Sequence, residues 1–416
     1  MKNDGESSNF VAKNLGTGTR VTAAGRRDEW TGTPGHPGAV VSPPVWRAST
    51  HLYPDMAAMR AYPANEDGNF FYGRRGSPTQ WALADALTGL EPGAVGTVLY
   101  PSGVAAIAGA LLTVLRPGDV LLMTDNAYEP SRAMARGLLR DFGVETRWFD
   151  PSDPASMTAA ICERTRAVLL ENPGSLTMEL VDVPRLAQIA REHKIVSVLD
   201  NTWASSLGFT ALRHGIDIAV MSLTKHVGGH SDAMMGSASA GAEWYRKLRM
   251  RAQGLGIVVS PDDAALMLRG LRTMDLRLQR TTATALALAQ WLAAQPQIAH
   301  VCCPMLPGTP GHDLWLRDFT GGCGLFSFVF KGGSSAARDA AIDALALFGI
   351  GFSWGGFESL ATPVDPAAMR SAPPWPPAHW DQADKFGVRL AVGLEDAADL
   401  IGDLASGLRA WSDFAA

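Results

Sequence analysis

Polar and reactive side chains follow two apolar segments that are predicted to be β-strands. The run IVSVL ends at Asp200, and the run DIAVM leads into Ser222, Thr224 and Lys225. Short, nearly continuous apolar runs are typical of buried parallel strands, and ligands of open α/β sheets bind beyond the carboxyl ends of such strands. We therefore expect a carboxylate, two hydroxyl groups and a lysine amine along one edge of one sheet.

A helix N-terminus is predicted at the same edge. The apolar run VGTVLY leads to Ser102, Gly103 and Val104, where a helical pattern begins. The N–H groups of a first helical turn bind anions, and a glycine lets the backbone approach a phosphate group closely. With the hydroxyls of Ser222 and Thr224, these groups could bind a phosphate.

This combination of groups suits pyridoxal phosphate (PLP). A lysine amine can bind the aldehyde carbon of that cofactor covalently, and a carboxylate can pair with its pyridinium nitrogen, which keeps the ring able to accept electrons. Taken singly, Asp200 could be a helix cap and Lys225 a solvated surface residue. Their occurrence on consecutive strand ends, 25 residues apart, favours a cofactor site.

The elements that must position these groups alternate along the chain. From about residue 79, apolar helical segments alternate with short β-rich runs, which predicts an α/β fold with a mostly parallel sheet covered by helices on both faces. Residues 1–75 are predicted to form an extended arm without sustained periodicity, disordered at its start. Residues 76–271 are predicted to form the cofactor domain and residues 272–416 a smaller α+β domain.

The predicted elements of the second half begin with one long helix, from residue 261 to about residue 295, that leaves the cofactor domain. Further along, the patterns predict strands at 300–303, 324–330 and 388–392, a helix at 336–348 and a C-terminal helix from residue 397.

Composition narrows the class of protein. The 416 residues carry a formal charge of −5 and are 47% hydrophobic, so no net positive field exists to bind nucleic acid or an anionic membrane surface. The N-terminus lacks the apolar core of a signal peptide, and no segment is predicted to span a membrane. Four cysteines in a chain of this length predict reduced thiols, and we expect a cytoplasmic enzyme.

Seven motifs resemble those of the Cys/Met-metabolism family of PLP-dependent enzymes, and the likeness runs from about Arg20 to the C-terminus. They are YGRRG (72–76), SGVAA (102–106), DNAYEPS (125–131), DNTWA (200–204), SLTKHVGGHSD (222–232), SWGGFES (353–359) and RLAVGLED (389–396). The resemblance implies a seven-stranded sheet of the aspartate-aminotransferase type.

The resemblance also implies roles for single residues. Lys225 would bind the cofactor and later act as the base, Asp200 would pair with the pyridinium nitrogen, and Tyr128 would stack on the ring and take part in catalysis. The phosphate would be bound by Ser102, Gly103, Val104, Ser222 and Thr224, and by Tyr72 and Arg74 of a neighbouring subunit.

For the substrate, the resemblance implies a sulfur-containing L-amino acid. Arg389 would bind its α-carboxylate through a bidentate pair, and Ser353, Trp354 and Tyr72 would line its pocket. The implied assembly is a homodimer with shared active sites that pairs into a tetramer.

The implied reaction is β-elimination from cystathionine, or from a related S-substituted cysteine or cystine, to a thiol, pyruvate and ammonia. The tryptophan of SWGG favours this branch over γ-elimination or γ-replacement on a homocysteine derivative, which stays open as the alternative. Asn172, His226, Phe352 and Ala391 depart from the commonest pattern of the family. Of these, Asn172, Phe352 and Ala391 are expected on the substrate side, so the preferred substrate stays open as well.

The sequence also allows three other hypotheses: a serine hydrolase, a metal site and a non-catalytic scaffold. The segment GFSWG matches the GxSxG pattern of a serine hydrolase, with Ser353 as nucleophile and Asp365 and His379 downstream, but its glycines and prolines disfavour the helix that this pattern requires. His226 and His230 are spaced like a metal pair, yet two glycines between them disfavour a helix. A non-catalytic scaffold of the same fold would not need Lys225 and Asp200.

Overall fold

A seven-stranded sheet forms the larger part of the molecule. The computed structural model describes residues 15–33, 35–62, 68–368, 370–372 and 374–415. The strand order is β1-β7-β6-β5-β4-β2-β3, and β7 runs antiparallel to both of its neighbours while the other pairs are parallel. The strands are β1 (Gly96–Tyr100), β2 (Val120–Thr124), β3 (Glu145–Phe149), β4 (Thr165–Glu171), β5 (Val196–Asp200), β6 (Ile218–Ser222) and β7 (Gly236–Ala240).

The described residues contain fifteen α-helices, several of which cover the two faces of this sheet. The first nine are α1 (Thr17–Ala23), α2 (Asp28–Thr31), α3 (Met56–Ala61), α4 (Pro78–Leu90), α5 (Gly103–Val114), α6 (Glu129–Met134), α7 (Pro154–Ala160), α8 (Val183–Glu192) and α9 (Ser205–Gly208). They are followed by α10 (Ala242–Gly254), α11 (Pro261–Leu271), α12 (Met274–Ala293), α13 (His312–Asp318), α14 (Ser335–Asp343) and α15 (Ala397–Ala415). A π-helical segment (Ala135–Leu139) extends α6, and short 3-10 segments lie at Gly73–Arg75, Leu212–His214 and Pro366–Ala368.

Alternating side chains of each strand enter two separate cores. In β2, Leu121 and Met123 pack with residues of α5, α6 and α10, whereas Val120 and Leu122 pack with residues of α4, α8 and α12. This is the period-2 pattern of a strand buried on both faces. The α/β prediction with helices on both faces is confirmed.

A second sheet of five strands has the order β10-β11-β12-β9-β8. Its strands are β8 (Ile298–Cys302), β9 (Leu325–Phe330), β10 (Gly349–Ile350), β11 (Leu360–Val364) and β12 (Gly387–Ala391). Helices α14 and α15 pack together beside it, and the Asp403 carboxylate of α15 accepts backbone N–H groups from Ala346, Leu347 and Phe348.

Several predicted elements differ from the structure. The single helix predicted over 261–295 is wrong, because the chain forms α11 and α12 with a break between them. At this break Arg272 donates its guanidinium to the carbonyls of Val21, Thr22 and Ala24, which ties the break to the arm. The helix predicted over 336–348 ends at Asp343. Beyond it, the backbone N–H groups of residues 346–348 donate to the Asp403 carboxylate, so they do not continue the helix.

Other elements were not predicted. Strand β7 (GSASA) is fully buried but has no large apolar side chain. Strand β11 contains Pro363, and a proline argues against a strand when only the sequence is considered, because it has no N–H to donate to a neighbouring strand. The arm is not simply extended, because it contains three short helices, and Val21 of α1 is fully buried. The predicted disordered start falls outside the described residues, and the predicted domain boundary between 271 and 272 stays a prediction. Within the described ranges, no helix is long and apolar enough to cross a membrane.

Candidate active site

The carboxyl ends of three neighbouring strands bring the predicted groups together. Glu171 at the end of β4 lies in register with Asp200 at the end of β5, and β6 ends beside them at Ser222. One oxygen of Asp200 accepts from Thr202 N (3.0 Å) and Thr202 Oγ1 (2.5 Å). The same Thr202 hydroxyl accepts from Ser222 N at 2.9 Å, so it fixes Asp200 relative to β6.

Lys225 lies just beyond β6, between the two sheets. Its Nζ donates to Ser353 Oγ at 2.6 Å and lies 5.2 Å from the centre of the Trp354 ring. Burial, and next the positive charge of Arg389, lower the pKa of Lys225 to about 8, although Asp200 opposes the shift. About half of this amine is therefore neutral at pH 8, where an ordinary lysine is still protonated.

Tyr128 precedes α6, and its backbone N–H donates to Glu171 Oε2 at 2.5 Å. Burial and the nearby carboxylates of Glu171 and Asp200 raise the pKa of Tyr128, with Arg389 acting in the opposite sense. The phenol is therefore protonated at neutral pH. The side chain is still 39% exposed, so one side of its ring stays accessible to a ligand.

Glu171 was not singled out from the sequence. Burial and the neighbouring charge of Asp200 raise its pKa well above the usual value. Burial also raises the pKa of Asp200, while the hydrogen bonds from Thr202 and the charge of Lys225 lower it. The signal was present, because Glu171 ends the run AVLLE just as Asp200 ends the run IVSVL.

Arg389 reaches the site from β12 of the five-stranded sheet. Its Nη2 donates to the carbonyl of Ser353 at 3.3 Å, and its buried Nε has no hydrogen-bond partner in the part of the chain that the structure describes. Burial lowers the pKa of Arg389, but a guanidinium remains charged in proteins. A partly buried cation whose buried Nε has an unused hydrogen is suited to an anionic ligand.

The loop that carries Ser353 and Trp354 lies directly on Lys225. Ser353 and Gly355 both have φ of +82°, a conformation that is strained for serine but not for glycine. A Cβ atom at Gly355 would lie 3.1 Å from the backbone carbon of Lys225. Glycine therefore allows this loop to approach the lysine.

The predicted phosphate-binding groups also meet at this edge. Ser102 caps α5 by accepting from Ala105 N at 3.1 Å, and a Cβ atom at Gly103 would lie 2.7 Å from Ser222 Cβ. Thr224 Oγ1 exchanges hydrogen bonds with the backbone of Met235. Val104 is in the first turn of α5, whose N–H groups have no intrahelical acceptor.

PLP fits the residues that are present. The edge offers a lysine amine whose pKa is lowered, a carboxylate with one oxygen hydrogen-bonded to its own loop, and a helix N-terminus that begins at Gly103 and has no bulky side chain there. These are the groups that the aldehyde, the ring nitrogen and the phosphate of PLP require.

Tyr72 and Arg74 are not brought to this edge within one chain. Tyr72 is 44% exposed, and Arg74 Nη1 donates to Gln253 O at 3.3 Å. Together with Arg75, Trp81 and Tyr245, Arg74 lines a separate cavity of about 330 Å³. Asp200 and Lys225 do not line this cavity.

Two alternatives from the sequence find little support in the geometry. No helix follows Ser353; a loop leads instead to β11, so the strand–turn–helix of a hydrolase is missing from residues 349–364, all of which are described. The two histidines that are spaced like a metal pair make hydrogen bonds to backbone carbonyls instead: His226 Nε2 to Trp203 O and His230 Nδ1 to Gly228 O. Among the described residues, no group of three His, Cys, Asp or Glu side chains could hold a metal ion.

Comparison with known proteins identifies relatives of this chain over nearly its whole length. The cystathionine beta-lyase of Escherichia coli is 41% identical over 395 residues, which cover 94% of this chain and 97% of the relative. The L-methionine gamma-lyase of Pseudomonas putida is 36% identical over 381 residues, which cover 90% of this chain and 94% of the relative.

A solved structure of cystathionine gamma synthase from Xanthomonas oryzae pv. oryzae, in complex with aminoacrylate and cysteine, superposes with a TM-score of 0.84. It is 31% identical and covers 96% of this chain and 99% of its own. The family model described as "Cys/Met metabolism PLP-dependent enzyme" matches residues 31–409. The chain therefore belongs to the Cys/Met-metabolism family of PLP-dependent enzymes, and it is a PLP-dependent carbon–sulfur lyase.

Proposed function

We propose that this lyase catalyses β-elimination from L-cystathionine or a related S-substituted cysteine and releases a thiol, pyruvate and ammonia. The observation that carries the proposal is the Lys225 amine, with its pKa lowered to about 8, held between the strand ends and the Ser353 loop beside Arg389. A base and a carboxylate-binding cation thus face one space.

Binding of the substrate would begin at Arg389. The buried Nε of its guanidinium has no hydrogen-bond partner among the described residues, so a bidentate pair with the α-carboxylate would supply the missing acceptor. This contact places the Cα–H bond of the amino acid near Lys225. Trp354 and Ser353 would then face the side chain of the substrate.

Lys225 would move the proton. PLP, when bound, supplies an electron-withdrawing ring that stabilises negative charge at Cα. The neutral Nζ takes the Cα proton and, as an ammonium, can return it to the departing sulfur, which leaves as a thiol. Ser353 Oγ, at 2.6 Å, orients the amine between these two steps.

The two strand-end carboxylates would have different uses. Asp200 is held by Thr202 and would pair with the ring nitrogen of PLP. Burial and the charge of Asp200 raise the pKa of Glu171, which favours its protonated form more than in an ordinary carboxyl group. In either form Glu171 accepts the backbone N–H of Tyr128 and so positions the start of α6.

The β-lyase assignment is supported by the relative from Escherichia coli and by the tryptophan of the SWGG motif. The relative from Pseudomonas putida, named a gamma-lyase, keeps γ-elimination as the second candidate. Both reactions need Lys225 and Arg389, so only the products separate them.

The purified holoenzyme should release pyruvate from L-cystathionine, with homocysteine in equal amount, and little 2-oxobutyrate. Cystine and S-substituted cysteines should also give pyruvate, while methionine should give little product. Product assays by chromatography across these substrates measure the preference. Dominant 2-oxobutyrate would support γ-elimination and contradict the proposal.

Lys225→Ala should lower pyruvate formation by at least about 10³-fold, because the base is removed while the pocket remains. Circular dichroism of the variant gives the control for folding. Normal pyruvate release by a folded Lys225→Ala variant would contradict the role of this lysine.

We further propose that active sites are shared between two copies of the chain in a homodimer, which pairs into a tetramer. Within one chain Tyr72 and Arg74 lie away from the strand ends, on an exposed segment of the arm. A neighbouring copy can present them to the phosphate of PLP, as the family resemblance implies.

Mixing two inactive variants tests the shared site. When Lys225→Ala and Arg74→Ala chains are unfolded, mixed equally and refolded, random pairing in a two-fold dimer should restore about a quarter of the wild-type sites. Mixing Lys225→Ala with Arg389→Met is the matched control, since both residues lie in one chain's site and no mixed dimer contains an intact site. Equal recovery in both mixtures, or none in either, would contradict sharing.

Gly103 gives a separate test of the phosphate site. Gly103→Ala adds a Cβ atom 2.7 Å from Ser222 Cβ, which must displace the first turn of α5 from the donors around it. We expect PLP affinity to fall by about tenfold or more, measured by titration of the cofactor-free chain. Gly402→Ala, in an open position of α15, should leave the affinity unchanged; equal affinities for both variants would place the phosphate elsewhere.

A further inference from the structure

Asp125 joins the two sides of the candidate active site through a network that the proposed reaction does not use. It follows β2 directly, three residues before Tyr128, and accepts hydrogen bonds from Ser371 and Ala372, which lie between β11 and β12. We refer to Asp125, Arg132, Ser371 and Ala372 as the Asp125 clasp. We infer that Asp125 is a positioning residue that holds the segment before Arg389 against the loop of Tyr128, and that the clasp sets the affinity for the amino-acid substrate.

Both oxygens of the Asp125 carboxylate are saturated with donors. Oδ1 accepts from Arg132 Nη1 at 2.9 Å and from Ser371 Oγ at 2.8 Å. Oδ2 accepts from the backbone N–H groups of Ser371 and Ala372, both at 2.7 Å. The carboxylate is fully buried. Three of its four donors therefore come from the segment that leads to β12.

Arg132 completes the network from the side of the large sheet. Its side chain is fully buried, and its guanidinium lies 4.1 Å from the centre of the Trp148 ring. Nη1 donates to Asp125 O at 2.7 Å, and Nη2 donates to Ser371 Oγ at 3.0 Å. The Ser371 hydroxyl thus links the arginine to the aspartate.

A second contact beside the clasp joins the same two parts of the chain. Arg370 Nη2 donates to Thr177 Oγ1 and to Glu179 Oε1, both at 2.6 Å. Thr177 and Glu179 belong to the connection that follows β4, the strand that ends at Glu171. The segment is therefore held at two points, one on the loop that precedes Tyr128 and one on the connection that follows β4.

The position of the network connects it to substrate binding. The substrate would bridge Arg389 on the small sheet and Lys225 on the large sheet, so its affinity depends on how often the two are held at the right separation. If only a fraction of molecules is correctly closed, the apparent dissociation constant rises by the inverse of that fraction. The clasp keeps that fraction high before the substrate arrives. This role rests on the proposed function, because it assumes a substrate carboxylate at Arg389.

Ser371→Ala tests the inference with little risk to folding, since Ser371 is an exposed residue that contributes two hydrogen bonds through its hydroxyl. For whichever sulfur amino acid the wild type converts, we expect KM to rise about tenfold with kcat within about twofold, because bound substrate closes the site again. Ser371→Thr keeps a hydroxyl and should restore KM.

Hydrogen exchange gives a readout that does not depend on turnover. In the substrate-free holoenzyme, the amides of peptides covering residues 366–385 should exchange faster in Ser371→Ala than in the wild type. The matched control is Ser412→Ala, since the Ser412 hydroxyl also makes two hydrogen bonds, to Gln297 and to the Leu408 carbonyl, away from Tyr128. It should change neither KM nor exchange in 366–385.

Unchanged KM and unchanged exchange in Ser371→Ala would overturn the inference, as would an equal rise of KM in Ser412→Ala. A fall of kcat without a change of KM would also overturn it, because that result indicates a role in the chemical step. If none of the sulfur amino acids is converted, the proposed function fails, yet the exchange comparison still decides whether the clasp holds the segment.

Discussion

The proposed chemistry depends on a lysine amine that is partly buried at the junction of two sheets. Burial and Arg389 lower the pKa of Lys225, while Asp200 keeps the shift moderate. Neither sheet alone produces this balance, because Lys225 and Asp200 belong to the large sheet and Arg389 and Ser353 to the region of the small one. The lowered pKa is therefore a property of the joined structure.

Several carboxyl groups lie at the same edge of the large sheet. The pKa of each depends on the hydrogen bonds and charges that surround it. Asp200 has Thr202 and Lys225 to stabilise its anion, whereas Glu171 has one backbone N–H and the repulsion of Asp200. Asp125, two strands away, is an ion-pair partner of Arg132 and accepts four hydrogen bonds. On the proposed function, three carboxyl groups near one edge would have three different uses: cofactor pairing, positioning of Tyr128, and attachment of the segment that leads to β12.

From the sequence, those site residues could be predicted that directly follow an apolar strand segment. Asp200, Ser222 and Lys225 could be placed together because parallel strands end at a common edge, and the same rule would have included Glu171. Arg389, Ser353 and Trp354 could not be derived this way, because their approach depends on how the second sheet packs; only family resemblance indicated them. Strand β7 could not be predicted because it has no large apolar side chains. The break between α11 and α12 could not be predicted because Arg272 there contacts the arm, which is about 250 residues away in the sequence.

The pH at which Lys225 loses its proton tests the central claim most directly. Trace labelling of the cofactor-free chain with an amine-reactive reagent, followed by mass spectrometry of the peptide that contains Lys225, measures the neutral fraction at each pH. Since only the neutral amine reacts, labelling should rise with pH and level off, with a midpoint at about 8. A midpoint near 10.5, the ordinary value for lysine, would contradict the desolvated amine on which the account rests.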